Sequence, residues 1–113
     1  MHELGIAQSI VEIAEKNANQ QGARRVLEVT IEVGALSGVM AESLEFCFEA
    51  CCSDTLLEGC VLKIEPVPAR ARCRECYQEY TLINYFDSCP ACNNPVSDML
   101  SGEELRIKEM EID

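Results

Sequence analysis

The sequence predicts an α+β fold, in which two helices pack on a three-stranded sheet and a cysteine-rich module is inserted before the last strand. Three observations lead to this prediction. Apolar residues recur at helical spacing between residues 4 and 21. They alternate with polar residues between residues 25 and 34, as in a strand with one solvent-facing side. Two Cys-x-x-Cys pairs, at 73–76 and 89–92, lie in a stretch poor in apolar residues.

The first helix is predicted to run from Leu4 to about Gln21. Gly22 favours its end, because glycine readily adopts the positive φ that closes many helices. We expect Ile6 and Ile13 to widen the apolar face towards the sheet. The residues predicted to face the core are Ala7, Ile10, Val11, Ala14 and Ala18.

The strand at residues 25–34 is predicted to be half-buried, with one face in water. Its core face consists of Leu27, Val29, Ile31 and Val33, and its wet face of Glu28, Thr30 and Glu32. We expect the core face to meet apolar side chains of both helices, namely Ile10, Ala14, Leu44 and Phe48.

A second helix is predicted from Ala41 to about Asp54. Its apolar stripe consists of Leu44, Cys47, Phe48 and Cys51. Cys47 and Cys51 are four residues apart, so they are able to share a ligand. The favoured alternative is core packing, because a buried free cysteine behaves as a small hydrophobe. Cys52 and Cys60 belong to no recognisable ligand pattern.

Two further strands complete the predicted sheet. The first runs from Cys60 to about Val67, where Pro66 and Pro68 are expected to end regular pairing. The second covers residues 103–112. Leu105 and Ile107 share one face there, and a β-bulge near Lys108–Glu109 is needed to bring Met110 and Ile112 to the same face.

Four cysteines are the most specific feature of the chain. Cys73, Cys76, Cys89 and Cys92 form two tight turns, a spacing that places four thiolates around one tetrahedral Zn²⁺ ion. A rubredoxin-like iron site is the main alternative. No fifth ligand lies nearby in sequence, so the predicted site is closed and structural. We therefore predict a zinc-ribbon domain at about residues 69–100, inserted into an α+β domain of residues 1–68 and 101–113.

The 113 residues carry a formal net charge of -11, which disfavours binding to nucleic acid or to an anionic membrane. A protein with a basic surface or a cationic cargo suits this charge, as does simple solubility. The sequence has no signal peptide and no run of about 20 apolar residues. We therefore expect a cytoplasmic protein whose other four cysteines are free thiols.

The N-terminus offers a second candidate metal site. The Met1 amine, the His2 amide nitrogen and the His2 imidazole are able to form adjacent chelate rings around one ion, with Glu3 as a further donor. Nitrogen donors in a plane favour Ni²⁺ or Cu²⁺. Considered alone, a histidine at position 2 is more often a solvated terminal residue.

Taken together, these features resemble the HypA/HybF family of hydrogenase nickel-incorporation proteins over nearly the full length. The segments that carry the resemblance are Met1–Leu4 with Ala7–Ser9, Gly34–Val39, Leu57–Gly59, the four zinc cysteines, Ser101–Leu105 and Ile112.

The resemblance implies a nickel metallochaperone that passes Ni²⁺ to the large-subunit precursor of nickel–iron hydrogenase. It implies nickel ligands at Met1, His2 and, as an open alternative, Glu3. It also implies a structural zinc held by the four cysteines and a GTPase of the HypB type as a partner. A homodimer is left open. The competing hypothesis from another class is a zinc-ribbon interaction module without a nickel role. An enzyme is disfavoured, because the sequence lacks a second histidine and a Ser/His/Asp set.

Overall fold

The computed structural model describes residues 2–113, which form two compact units. The first unit contains the residues up to Ile31 together with Val39–Glu65 and Arg106–Asp113. The second contains Glu32–Gly38 and Pro66–Leu105. No helix in the described part of the chain is long and apolar enough to cross a bilayer.

Two helices and six strands make up these units. In chain order they are α1 (Glu3–Gln20), β1 (Val26–Gly34), α2 (Ala41–Cys52), β2 (Val61–Val67), β3 (Arg70–Cys73), β4 (Glu79–Thr81), β5 (Ser97–Ser101) and β6 (Leu105–Ile112).

Helix α1 confirms its predicted core face, because the buried residues are Ala7, Ile10, Val11, Ala14 and Ala18. The helix ends in a Schellman motif: the Ala23 N–H donates to the Ala18 carbonyl at 2.9 Å, and the Gly22 N–H to the Asn19 carbonyl at 3.1 Å. Gly22 has a φ of 69°, as the predicted helix stop requires. Ile13 does not widen the buried face, since 51% of its surface remains exposed.

The predicted three-stranded sheet is confirmed, with the strand order β2-β1-β6. Strands β1 and β6 run antiparallel, because the Arg24 N–H donates to the Asp113 carbonyl and the Gly34 N–H donates to the Glu104 carbonyl. Strand β2 pairs with β1 in the parallel sense that a helical connection allows: the Ala35 N–H, just after β1, donates to the carbonyl of Val67 at the end of β2.

Strand β1 is more deeply buried than its alternating sequence indicates. Val29, Ile31 and Val33 are buried and Leu27 is half-buried, as predicted for the core face. Thr30, however, is only 2% exposed, so the prediction of a fully wet opposite face is wrong. The reason is the position of β1 at the centre of the sheet, which strand alternation alone does not reveal.

The edge strands differ from expectation at two positions. Strand β2 continues through Pro66, which is exposed; an edge strand tolerates proline because one row of its N–H groups needs no partner. In β6 the half-buried residues are Ile107, Met110 and Ile112, the change of alternation that the predicted bulge requires. Leu105, the first residue of β6, is 39% exposed, so it is less buried than these three residues.

Helix α2 ends at Cys52, two residues before the predicted end, and it packs against α1. Leu44, Phe48 and Cys52 are its buried residues, whereas Cys47 and Cys51 are half-buried. The core stripe therefore continues along the helix to Cys52, which the spacing of the apolar residues did not single out.

Candidate metal centre

The second unit contains a small antiparallel sheet that carries the four predicted metal-ligand cysteines. Its strand order is β4-β3-β5. Residues Arg70, Ala71 and Arg72 of β3 face Thr81, Tyr80 and Glu79 of β4, respectively. The core beneath it consists of Ala69, Ala71, Cys73, Tyr80, Leu82 and Cys89, with Leu36 and Met99 packed against it. So few apolar side chains make a weak core, which is why such modules depend on metal for stability.

Both cysteine pairs form turns of the same local design. In the first turn, the Cys73 N–H donates to the Gln78 carbonyl at 2.9 Å and the Tyr77 N–H donates to the Cys73 carbonyl at 3.0 Å. In the second, the Cys89 N–H donates to the Asn94 carbonyl at 3.0 Å and the Asn93 N–H to the Cys89 carbonyl at 2.7 Å.

Each turn closes with a residue in the left-handed region directly after its second cysteine. These residues are Tyr77, with a φ of 62°, and Asn93, with a φ of 64°. Asparagine tolerates this conformation better than most residues, so Asn93 was a recognisable signal in the sequence. Tyr77 was not, because no such preference exists for tyrosine.

The two turns bring all four sulfur atoms within 4.8 Å of one another. The Sγ atoms of Cys73 and Cys92 are 3.4 Å apart, and those of Cys76 and Cys89 are 3.7 Å apart. A tetrahedron with metal–sulfur bonds of about 2.3 Å has edges of about 3.8 Å, so the donor set fits Zn²⁺ in size and in chemistry. Cys73 and Cys89 are buried, whereas Cys76 and Cys92 are exposed.

Backbone amides prepare this cluster for negative charge. The Cys76 N–H lowers the pKa of Cys73 to about 6, and the Glu75 N–H, 3.4 Å from the Cys73 sulfur, acts in the same direction. The Asn94 N–H also lowers the pKa of Cys92, but contact with the Cys73 sulfur and burial outweigh it and raise that pKa to about 12. Four thiolates this close repel one another, and a bound cation removes that repulsion.

The N-terminal candidate site is described in part. Met1 lies outside the described residues. His2 is exposed and precedes α1 as its N-cap, where its carbonyl accepts the Ile6 N–H at 3.1 Å. Glu3 begins the helix, and its Oε2 atom accepts the Met40 N–H at 3.3 Å. The Glu3 carboxylate therefore lies at the start of α2. The sequence did not reveal this, because Glu3 and Met40 are 37 positions apart in the chain.

Comparison with known proteins places these features in a family. The family described as "Hydrogenase/urease nickel incorporation, metallochaperone, hypA" matches residues 1–112. The chain is 56% identical over 113 residues to a hydrogenase maturation factor HypA of Geobacter metallireducens, covering 100% of both chains. It is 45% identical to a protein of the same name from Trichodesmium erythraeum, covering 100% of this chain and 96% of the relative.

Two solved structures share the fold. One is the solution structure of the Ni metallochaperone HypA from Helicobacter pylori, with a TM-score of 0.70 and 20% identity over 99% of this chain and 97% of that one. The other is a solution structure of a HypA protein, with a TM-score of 0.75 and 19% identity over 100% of this chain and 97% of that one. At these identities the likeness concerns the fold alone.

Proposed function

Because this chain belongs to the HypA family of hydrogenase and urease nickel-incorporation metallochaperones, we propose that it binds Ni²⁺ and delivers it to the large-subunit precursor of nickel–iron hydrogenase. The observation that carries this proposal is the family match over residues 1–112, which includes the N-terminal residues as well as the cysteine cluster. The finer steps below rest on the chemistry of the individual groups.

We propose that nickel is held by Met1 and His2. The exposure of His2 ahead of α1 leaves its imidazole open to an incoming ion. Its amide nitrogen and the α-amine of Met1 are adjacent in the chain, so the three nitrogen donors form small chelate rings. A site built from backbone nitrogens and one imidazole at the chain end is easily taken apart, which delivery to another protein requires.

Glu3 is the additional nickel ligand in this proposal, after Met1 and His2. Its Oε2 atom accepts the Met40 N–H, so the donors that Glu3 offers to nickel in this proposal are its amide nitrogen and its other carboxylate oxygen. The position of Glu3 at the first turn of α1 ties the nickel site to the beginning of both helices of the first unit.

The four cysteines are proposed to hold a structural Zn²⁺. The sulfur separations support this assignment, and the small core of the ribbon gives the metal a folding role. In this proposal the ribbon, residues 69–100, is the zinc-binding domain, and residues 1–68 with 101–113 form the nickel-binding domain. Zinc adds no chemistry to the transfer; it stabilises the ribbon.

The proposed partners are proteins. A GTPase of the HypB type and the hydrogenase large subunit are the expected ones, and the net charge of -11 suits basic surfaces on them. The same charge disfavours nucleic acid and anionic membranes as partners. We propose that the chain has no catalytic activity of its own and that it works in the reducing cytoplasm, where its eight cysteines stay unpaired.

The decisive experiment is isothermal titration of nickel into three untagged proteins: native, His2→Ala, and a form with one residue added ahead of Met1. We expect both altered proteins to lose the high-affinity nickel event, because one loses the imidazole and the other moves the α-amine away. Zinc content and helicity should stay unchanged in both. Native-like nickel affinity in either altered protein would refute the N-terminal site and direct attention to Cys47 and Cys51. Absence of nickel binding in the native protein would favour the zinc-ribbon interaction module.

A further inference from the structure

Strand β6 forms one edge of the sheet β2-β1-β6, so among the described strands only β1 pairs with it. The Asp113 N–H donates to the Arg25 carbonyl at 3.0 Å, so the backbone of Asp113 faces β1. Successive residues of a strand direct their backbone groups to opposite sides, so those of Ile112 point to the open edge. Ile107 and Met110 share the half-buried face with Ile112, and their N–H and carbonyl groups therefore point to the same edge. Such an edge is a template for another strand.

The sequence of β6 is complementary to itself in the antiparallel direction. Around a two-fold axis between residues 108 and 109, each basic residue falls opposite an acidic one and each apolar residue opposite another. The three pairs are Arg106 with Glu111, Ile107 with Met110, and Lys108 with Glu109. Opposite charges at directly facing positions stabilise an antiparallel pair of strands, whereas like charges destabilise it. The strand that suits this edge by charge is therefore a second β6.

The change of alternation within β6 makes these pairs geometrically possible. Directly opposed residues of an antiparallel pair lie on the same face of the sheet. Ile107 and Met110 are three positions apart, so in a regular strand they would lie on opposite faces. Because the alternation changes between them, both lie on the half-buried face. Ile107 of one copy and Met110 of another are therefore able to exchange two backbone hydrogen bonds across the open edge.

An exposed apolar side chain of α1 lies beside the same edge. Ile13 is 51% exposed, and it borders a groove of about 440 Å³ together with Ile107, Met110 and Ile112. The groove therefore joins the core face of β6 to the side of α1 within the first unit. A second β6 along the open edge brings the Ile107 and Met110 side chains of the other copy to this groove. Removal of this apolar surface from water favours the contact.

We propose that a second copy of this chain binds at the open edge of β6. The two β6 strands pair antiparallel about the two-fold axis between residues 108 and 109, and the two sheets become continuous. Arg106 of each copy faces Glu111 of the other, at a position where antiparallel strands bring side chains closest. Lys108, whose Nζ atom lies 2.8 Å from the Glu65 Oε1 atom of the same chain, exchanges that exposed contact for Glu109 of the second copy. β6 contains none of the proposed nickel or zinc ligands, so the contact is independent of both metal sites.

The test is analytical ultracentrifugation of the full chain, zinc-loaded and kept reduced. The ionic strength is about 0.15 M, which screens the long-range repulsion between two chains of net charge -11. We expect a concentration-dependent equilibrium between monomer and dimer. Arg106→Glu and Glu111→Arg should each weaken dimerisation roughly 10- to 100-fold, because two favourable cross-strand pairs become two pairs of like charge. An equimolar mixture of the two variants should regain the dimer, because the facing side chains then have opposite charges again.

Lys63→Glu is the matched control. Lys63 is an exposed residue of β2, the other edge of the sheet, where its Nζ atom lies 3.3 Å from the Glu28 Oε1 atom. Its reversal changes the net charge by the same amount as Arg106→Glu, yet dimerisation should equal that of native protein. Circular dichroism checks that every variant keeps its fold. A native protein that stays monomeric, native-like dimerisation of Arg106→Glu, a mixture that stays monomeric, or an equal loss in Lys63→Glu would each overturn the proposal.

Discussion

The sulfur atoms of Cys73 and Cys92 lie 3.4 Å apart although 19 positions separate the two residues in the chain. Strands β3 and β5 create this proximity, because Cys73 at the end of β3 pairs with Ser97 at the start of β5, a few residues beyond Cys92. The contact between the two sulfur atoms therefore depends on the small sheet. The sheet in turn depends on the proposed Zn²⁺ ion that holds the sulfur atoms together.

We predict that Cys73→Ala abolishes zinc binding and unfolds the ribbon. Removal of one buried sulfur leaves three donors for a tetrahedral ion, and a structural zinc site supplies folding energy directly. Elemental analysis should show loss of zinc, and NMR should show collapse of the signal dispersion of β3, β4 and β5. Cys47→Ala should keep the metal, as a cysteine outside the cluster. Full zinc content in Cys73→Ala would contradict the assignment.

Gly34→Ala should lower the free energy of unfolding by about 1–3 kcal/mol or more. A Cβ at this position would lie 2.1 Å from the Gly102 carbonyl oxygen and 2.5 Å from the Glu103 nitrogen, both of them backbone atoms that cannot rotate away. Denaturant unfolding monitored by circular dichroism measures the change. A variant as stable as native protein would mean that this close approach does not exist in solution.

The matched control is Gly5→Ala, for which the opposite sign is expected. Gly5 lies in α1, and a Cβ built there has no heavy atom within 4 Å. Alanine is favoured over glycine in a helix interior by about 1 kcal/mol, so this variant should gain up to that amount in the same unfolding experiment.

Glu3→Ala should cost about 1 kcal/mol of stability, because the Met40 N–H at the start of α2 loses the carboxylate that it donates to. Glu3→Gln should lose less, since its amide oxygen is still able to accept that hydrogen bond. Glu12→Ala, at an exposed position of α1, is the control and should change little. Thermal unfolding of the three variants checks this order. Equal stabilities of Glu3→Ala and native protein would argue against the contact.

The carboxyl group of Asp87 should titrate below the ordinary pKa of an aspartate, which is about 3.9. The Asn84 N–H at 3.0 Å and the Ile83 N–H at 2.8 Å donate to its carboxylate and lower its pKa. Because the folded-state pKa is depressed, the stabilising contribution is fully present above the ordinary pKa and is lost as pH falls through the folded value. NMR of the carboxyl carbon measures the pKa; a midpoint at or above the ordinary aspartate value of about 3.9 would disprove the prediction.

Much of the architecture was predictable because it depends on local patterns. The five buried residues of α1 follow from helical periodicity, the stop at Gly22 from glycine's tolerance of positive φ, and the four-cysteine cluster from two turns of equal spacing. The errors occurred where burial depends on distant neighbours. Thr30 is buried because its strand is central in the sheet. Ile13 is apolar and lies on α1, yet 51% of its surface is exposed.

By itself, the sequence determined which residues form each helix and the paired cysteine turns, and it included the segments by which the family is recognised. Only the tertiary structure decided which distant groups meet. It places the Glu3 carboxylate on the Met40 N–H and brings Cys52, not Cys51, to a cavity that Cys60 also lines. The physical reason is that periodicity specifies which face of an element turns inward, whereas strand order and helix packing specify what that face meets.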